Sequence, residues 1–222
     1  MPAHSSSLVL CNPPLGARPR AGAAVSRRWL FGLAMLCMTW LAAAPAPLRA
    51  LAPLLEAASD LDDAGKLLAV NEFFNRRIRF REDTAVWGQA DYWASPLELL
   101  ARGEGDCEDF AIAKYFSLRA LGVPGSRLRL VYMRARTAGP PARVRPHMVL
   151  AYFATPGAEP SILDNLAPDV LPAARREDLT PVFSFNGDGL WQGIGSQSAG
   201  DPMARLSRWR ETVAKARAEG FP

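Results

Sequence analysis

"GEGDCEDFAIAKYFSLRALGVP", from Gly103 to Pro124, decides how the rest of the chain is read. Its middle is apolar nearly all round, through Phe110, Ile112, Ala113, Tyr115, Phe116 and Leu118. A helix without a polar face belongs inside a domain. Gly122 stops the run and Pro124 follows, which predicts a central, buried helix over Cys107–Leu121. Cys107 opens that helix, where the helix dipole lowers a thiol's pKa and backbone N–H groups can face an oxyanion. Acids crowd it from both sides, however: Glu104 and Asp106 before, Glu108 and Asp109 after. One carboxylate about 6 Å from the sulfur, at an effective dielectric near 20, costs a thiolate roughly 2.8 kcal/mol, or about two pKa units. Two such acids would lift a thiol from about 8.5 to around 12. A nucleophile at this position therefore requires a neutralising charge, and a divalent cation held by the same acids supplies one. Oxygen ligands on a tight turn suit Ca²⁺, with Asp106, Glu108 and Asp109 as candidate ligands. A helix cap and a dipole-favoured first turn would explain one or two of these acids. They do not explain acids on both sides of a nucleophile.

Upstream, Leu67, Val70, Phe73, Phe74 and Ile78 recur at helical spacing and predict a helix over about Asp62–Arg77. An aromatic-rich loop follows, then a short helix with Ser95 as N-cap, Pro96 in its first position and Glu98 closing a capping box. Gly103 and Gly105 turn the chain into the central helix. Downstream the period changes. "RLRLVYMRA" and "HMVLAYFA" read as antiparallel neighbours joined by a Pro/Arg-rich loop, Thr137–Pro146, with shorter extended runs at "SILDNL", "PVFSFN" and "GLWQGI". In the tail, Leu206, Trp209 and Val213 mark one face of a docked terminal helix. A helical first half and a stranded second half give the α+β class.

Three side chains then fall into a chemical order. Cys107 begins the buried helix, His147 opens a strand, and Asp164 ends the next strand. An imidazole beside a thiol can take its proton, and a carboxylate can fix the imidazole's tautomer.

The ends of the composition explain its oddities. The net charge of +4 comes from residues 1–50, which hold Arg18, Arg20, Arg27, Arg28 and Arg49 and no acid, leaving 21 basic against 22 acidic residues elsewhere. No basic surface for nucleic acid is indicated. Arg27 and Arg28 precede an uncharged apolar run from Trp29 to Leu48, which predicts residues 1–50 to be an export leader cleaved near Ala44–Ala50, and 51–222 to be the working domain. An uncleaved inner-membrane anchor is the alternative. Cys11, Cys37 and His4 lie in the leader, so the domain keeps Cys107 and His147 as its only thiol and imidazole. That excludes an internal disulfide and a tetrahedral zinc site built from Cys and His.

"VNEFFNRRIRF", "VWGQADYWASPLELLARGEGDCEDFAIAKYFSLRALGVP", "HMVLAYF" and "ILDNL" together resemble the bacterial transglutaminase-like cysteine proteinases, from about Ala58 to Trp191. The resemblance implies a papain-like/transglutaminase-like fold with Cys107 as nucleophile, His147 as base and Asp164 as the group orienting it. It also implies calcium dependence and a periplasmic setting. The implied substrate is the N-terminal region of a large surface adhesin, cut at a pair of alanines to release cells from a biofilm. The implied inhibitor is the periplasmic domain of an inner-membrane cyclic-di-GMP receptor. Two other readings stay open: acyl transfer to amines by the same triad, and a non-catalytic calcium-binding module, which the filled triad positions disfavour.

Overall fold

The computed structural model describes residues 46–137 and 139–222; most of the expected leader, with His4, Cys11 and Cys37, lies outside them. The described chain opens with helix α1 (Ala46–Ala58), which starts inside the stretch read as leader and buries Leu51 and Ala58. Helix α2 (Asp63–Arg77) begins where Asp62 accepts a 2.8 Å bond from the Gly65 N–H, and it buries Leu67, Val70 and Phe74 at the expected spacing. Strand β1 (Arg79–Phe80), the single-turn helix α3 (Asp83–Val86) and helix α4 (Pro96–Arg102) follow. The capping box is formed as expected: Ser95 accepts from the Glu98 N–H, and Glu98 accepts from the Ser95 N–H at 2.8 Å. Strand β2 (Glu104–Gly105) pairs in parallel with β1 and delivers the chain to helix α5 (Cys107–Ala120). From Asp109 to Leu118 every residue of α5 is buried.

The second half is one seven-stranded sheet built from β3 (Leu128–Arg136), β4 (Val144–Tyr152), β5 (Ser161–Leu163), β6 (Leu171–Pro172), β7 (Leu179–Phe185), β8 (Leu190–Gln192) and β9 (Ser198–Gly200), in the order β6-β5-β4-β3-β7-β8-β9. Every neighbouring pair in it is antiparallel. Side-chain alternation divides its central strands. Leu128, Leu130, Met148 and Leu150 join the large core shared with the helices, while Val131, Met133, Val149 and Ala151 form a smaller cluster of their own. Helix α5 lies against β4 and β3. After α6 (Pro202–Arg205), the terminal helix α7 (Ser207–Ala218) docks through Trp209, whose ring stacks on Phe116 at 5.7 Å and meets Tyr115 and Phe185 edge-on. Truncating so buried an aromatic costs about 3–5 kcal/mol.

One local expectation is corrected. His147 does not open its strand; it is the fourth residue of β4, because Val144, Arg145 and Pro146 already pair with Arg136, Ala135 and Arg134. Pro146 reads as a breaker in the sequence. It is tolerated here because β4 pairs with β5 only from Leu150 onward, leaving the outer edge unpaired beside the proline.

Candidate active site

The position of Cys107 follows from how α4, β2 and α5 meet. Gly103 takes a left-handed conformation, φ 68°, to end α4, and its N–H returns to the Leu99 carbonyl. Gly105 is constrained differently: a Cβ there would lie 2.6 Å from both Asp109 Oδ2 and Leu99 Cδ1. The tight turn sets Asp106 as the residue before α5 and Cys107 as its first. Asp109 then ties the turn together, accepting from the Ala94 N–H at 2.7 Å and from the Asp106 N–H at 3.4 Å.

Cys107, Asp106, Glu108 and His147 line one cleft of about 530 Å³, with Trp93, Tyr132 and Phe183 among its walls. Tyr132 and Phe183 stack at 5.1 Å, giving the cleft an apolar flank. The thiol donates to Glu108 Oε2 at 2.9 Å. Burial foremost, then the Glu108 charge and hydrogen bond, push the Cys107 pKa up; the Met148 N–H against the sulfur works the other way. Met148 is the residue after His147, so the thiol faces β4 where the imidazole is mounted. His147 is itself buried, and its Nε2 meets Asp164 Oδ1 at 2.8 Å. Asp164, the residue after β5, also accepts from the Leu166 N–H at 3.0 Å and from Arg176 Nη2 at 2.7 Å. Burial alone would raise the Asp164 pKa, but His147, the Leu166 N–H and Arg176 together hold it down at about 2. The carboxylate is thus ionised at any pH near neutral. Arg176 carries no signal in the sequence; it reaches Asp164 only because β6 and the turn after it fold back beside β5.

The acids around Cys107 extend beyond the three expected. Carboxylate oxygens of Asp83, Asp106 and Asp109 come within 4.8 Å of one another, all three residues being buried. A second such group joins Asp83 and Glu108 to the exposed Asp91. Asp83 was not foreseen. It sits in "REDTAVW", 24 positions before Cys107, where nothing in residue pattern distinguishes it from a helix-opening aspartate. Its Oδ2 takes the Tyr92 N–H while Oδ1 is buried without a partner, as is Asp106 Oδ1. Burial is the leading cause that pushes Asp83 up to about 6, Asp109 up to about 8 and Asp106 well above the carboxylate range, with mutual repulsion adding to it. Buried carboxylate oxygens without hydrogen-bond partners are costly. An all-oxygen donor set of this kind matches a hard cation such as Ca²⁺.

A thiol at the N-terminus of a buried helix, facing an antiparallel sheet that presents an imidazole–carboxylate pair, is the architecture of a transglutaminase-like cysteine protease. Residues 53–179 match the family model described as bacterial transglutaminase-like cysteine proteinase, and the chain belongs to that family. Among solved structures it is similar to Legionella pneumophila LapG. In the EGTA-treated form the identity is 36% and the TM-score 0.69, covering 80% of this chain and 94% of that one. In the calcium-bound form the identity is 35% and the TM-score 0.68, covering 80% and 96%. No curated protein matches the sequence. The chain is accordingly a cysteine protease of the LapG type with the expected α+β fold.

Proposed function

We propose that this protein is a calcium-dependent periplasmic endopeptidase. In this reading it cuts the N-terminal region of a large surface adhesin at a pair of alanines to promote release from a biofilm, and the periplasmic domain of an inner-membrane cyclic-di-GMP receptor restrains it. The observation that carries the reading is the meeting of Cys107, the Met148 N–H beside His147, and the 2.8 Å His147–Asp164 bond at one cleft. Asp164 occupies Nε2 of the imidazole, which leaves Nδ1 to accept the thiol proton. The Cys107 sulfur attacks the scissile carbonyl, and backbone N–H groups at the start of α5 face the developing oxyanion. The imidazolium then protonates the departing amine, and water releases the acyl group from the sulfur with His147 again as base.

Calcium fits the residues present. Asp83 and Asp106, each with a buried and unpartnered Oδ1, would hold the cation, with Asp109, Glu108 and Asp91 close by. When bound, the ion supplies positive charge that offsets the carboxylates favouring a protonated Cys107. What supports export is the sequence pattern in residues 1–50, where Arg27 and Arg28 precede the apolar run from Trp29 to Leu48.

The test is incubation of the purified protein with the N-terminal region of a surface adhesin carrying a di-alanine site, with and without chelator. Two discrete fragments, formed only with calcium, support the proposal. Cross-linked ladders or amine incorporation would replace hydrolysis with acyl transfer. An unchanged adhesin under every condition would refute it.

A further inference from the structure

A second polar cluster lies within the core, away from the acids. Lys114 is fully buried in α5, seven residues after Cys107. Seven residues bring a helix round to nearly the same face, so one face of α5 carries the thiol at its start and an amine two turns on. The amine donates to Asn71 Oδ1 at 2.8 Å and to Asn75 Oδ1 at 2.7 Å, both on α2. As an ammonium, Lys114 has donors only, which matches both amides turning their oxygens inward and their NH₂ groups outward. Both NH₂ groups meet the same short turn: Asn75 Nδ2 reaches the Asp164 carbonyl at 2.7 Å and the Ala167 carbonyl at 3.2 Å, and Asn71 Nδ2 reaches the Pro168 carbonyl at 2.9 Å. Within that turn the Leu166 N–H is bonded to the Asp164 carboxylate itself. Backbone and carboxylate therefore move as one body.

Burying an amine here is a poor route to stability, because well-packed apolar residues commonly do as well or better than buried charge. What the network adds is geometry. Resting on the reading of Asp164 as the group that orients His147, we propose that Lys114, Asn75 and Asn71 are positioning residues that clamp the 164–168 turn to the nucleophile helix and so set the carboxylate's position against the imidazole. The helix that carries the thiol thereby also locates the far end of the triad.

The test reads the His147–Asp164 contact directly, by proton NMR of the ring N–H that Asp164 holds, beside the rate of Cys107 alkylation by iodoacetamide at one fixed pH; it needs no knowledge of the substrate. The full chain is used, and His147→Ala assigns the resonance. Asp164→Asn should move that resonance, because the carboxylate acceptor is lost, and slow alkylation. Lys114→Met should move it too and slow alkylation about tenfold or more, as expected for a small misplacement of a reacting group. Should Lys114→Met fail to fold, Asn75→Asp carries the test. It keeps an acceptor for Lys114 but loses both donor bonds to the turn. A wild-type resonance and rate for the variants beside a changed Asp164→Asn overturn the clamp and leave the triad standing. An unchanged Asp164→Asn overturns the triad reading, and the clamp with it.

Discussion

Asp83→Asn offers the sharpest test of the acid cluster, because its effect should reverse sign with calcium. The amide keeps the shape of the carboxylate and an acceptor for the Tyr92 N–H, while removing one charge beside Asp106 and Asp109. With ligand oxygens within 4.8 Å, each fully ionised pair repels by about 3.5 kcal/mol at an effective dielectric near 20. Proton uptake relieves part of that, consistent with the raised pKa values of all three acids. A residual relief of about 1 kcal/mol corresponds to roughly 2–4 °C in Tm for a domain of this size. In chelator, the variant should therefore melt above its parent. Calcium at a hundredfold excess over its Kd stabilises the parent by about 2.7 kcal/mol, or roughly 5–11 °C at the same conversion. The variant, short of one ligand, should gain less than half of that, so the two melting curves exchange order. Differential scanning calorimetry at one mildly alkaline pH, on the Cys107→Ala background, reads both arms. Equal calcium shifts in the two proteins would remove Asp83 from the site. A variant less stable than its parent in chelator would refute the electrostatic account.

The remaining predictions concern the proposed catalytic groups. Cys107→Ala should abolish adhesin cleavage while leaving the melting temperature near wild type, and residual turnover within about tenfold of wild type would exclude a covalent mechanism. His147→Ala should be as damaging, whereas Asp164→Asn should retain more activity because the imidazole persists; full activity in Asp164→Asn would remove it from the triad. Asp164, held at about 2 against an ordinary 3.8, should contribute roughly 2 kcal/mol of stability at neutral pH. That contribution is present above the ordinary value and is lost as pH falls through the folded one, so acid titration of Asp164→Asn should show a shallower loss over that interval; equal slopes would contradict the assignment. Chelation should slow iodoacetamide alkylation of Cys107 at neutral pH, since burial and the Glu108 charge raise its pKa, and an unchanged rate would separate the acids from the thiol's reactivity.

Features written in contiguous residues were legible in the sequence. Ser95, Pro96 and Glu98 announce a helix start because a cap is local chemistry, and the α5 run announces burial because nothing in it faces water. Cys107, His147 and Asp164 could be ordered because each lies at the start, within or just after an element whose period is readable. The structure brings the last two into contact and sets Cys107 and His147 at one cleft. Asp83, Arg176 and Asn75 were illegible for the opposite reason: Arg176 and Asn75 meet Asp164 from 12 and 89 residues away, and Asp83 meets Asp106 and Asp109 only across tertiary packing. Asp109 shows both readings of an acid in one residue. It completes the α5 cap as a structural aspartate would, and its carboxylate still lies among the candidate cation ligands. Helix α1 was not anticipated as a helix: it starts in the last five residues of the stretch read as leader and runs on into the expected domain, where its Leu51 is buried in the core.

Gly103 and Gly105, two positions apart, should follow different evolutionary rules. At Gly103 nothing lies within 4 Å of an added Cβ, so only the positive φ selects the residue. Asparagine, which tolerates that region, is an accessible neutral replacement. At Gly105 the torsion is ordinary and the space is absent, so even alanine must displace Asp109 or Leu99. In a saturation-mutagenesis library, Gly103 should keep a narrow set of survivors and Gly105 none. The damage at Gly105 would surface as weakened cation binding before it surfaced as unfolding. A lineage drifting through this turn can therefore change how the helix ends, but it cannot change how closely the chain passes its acids.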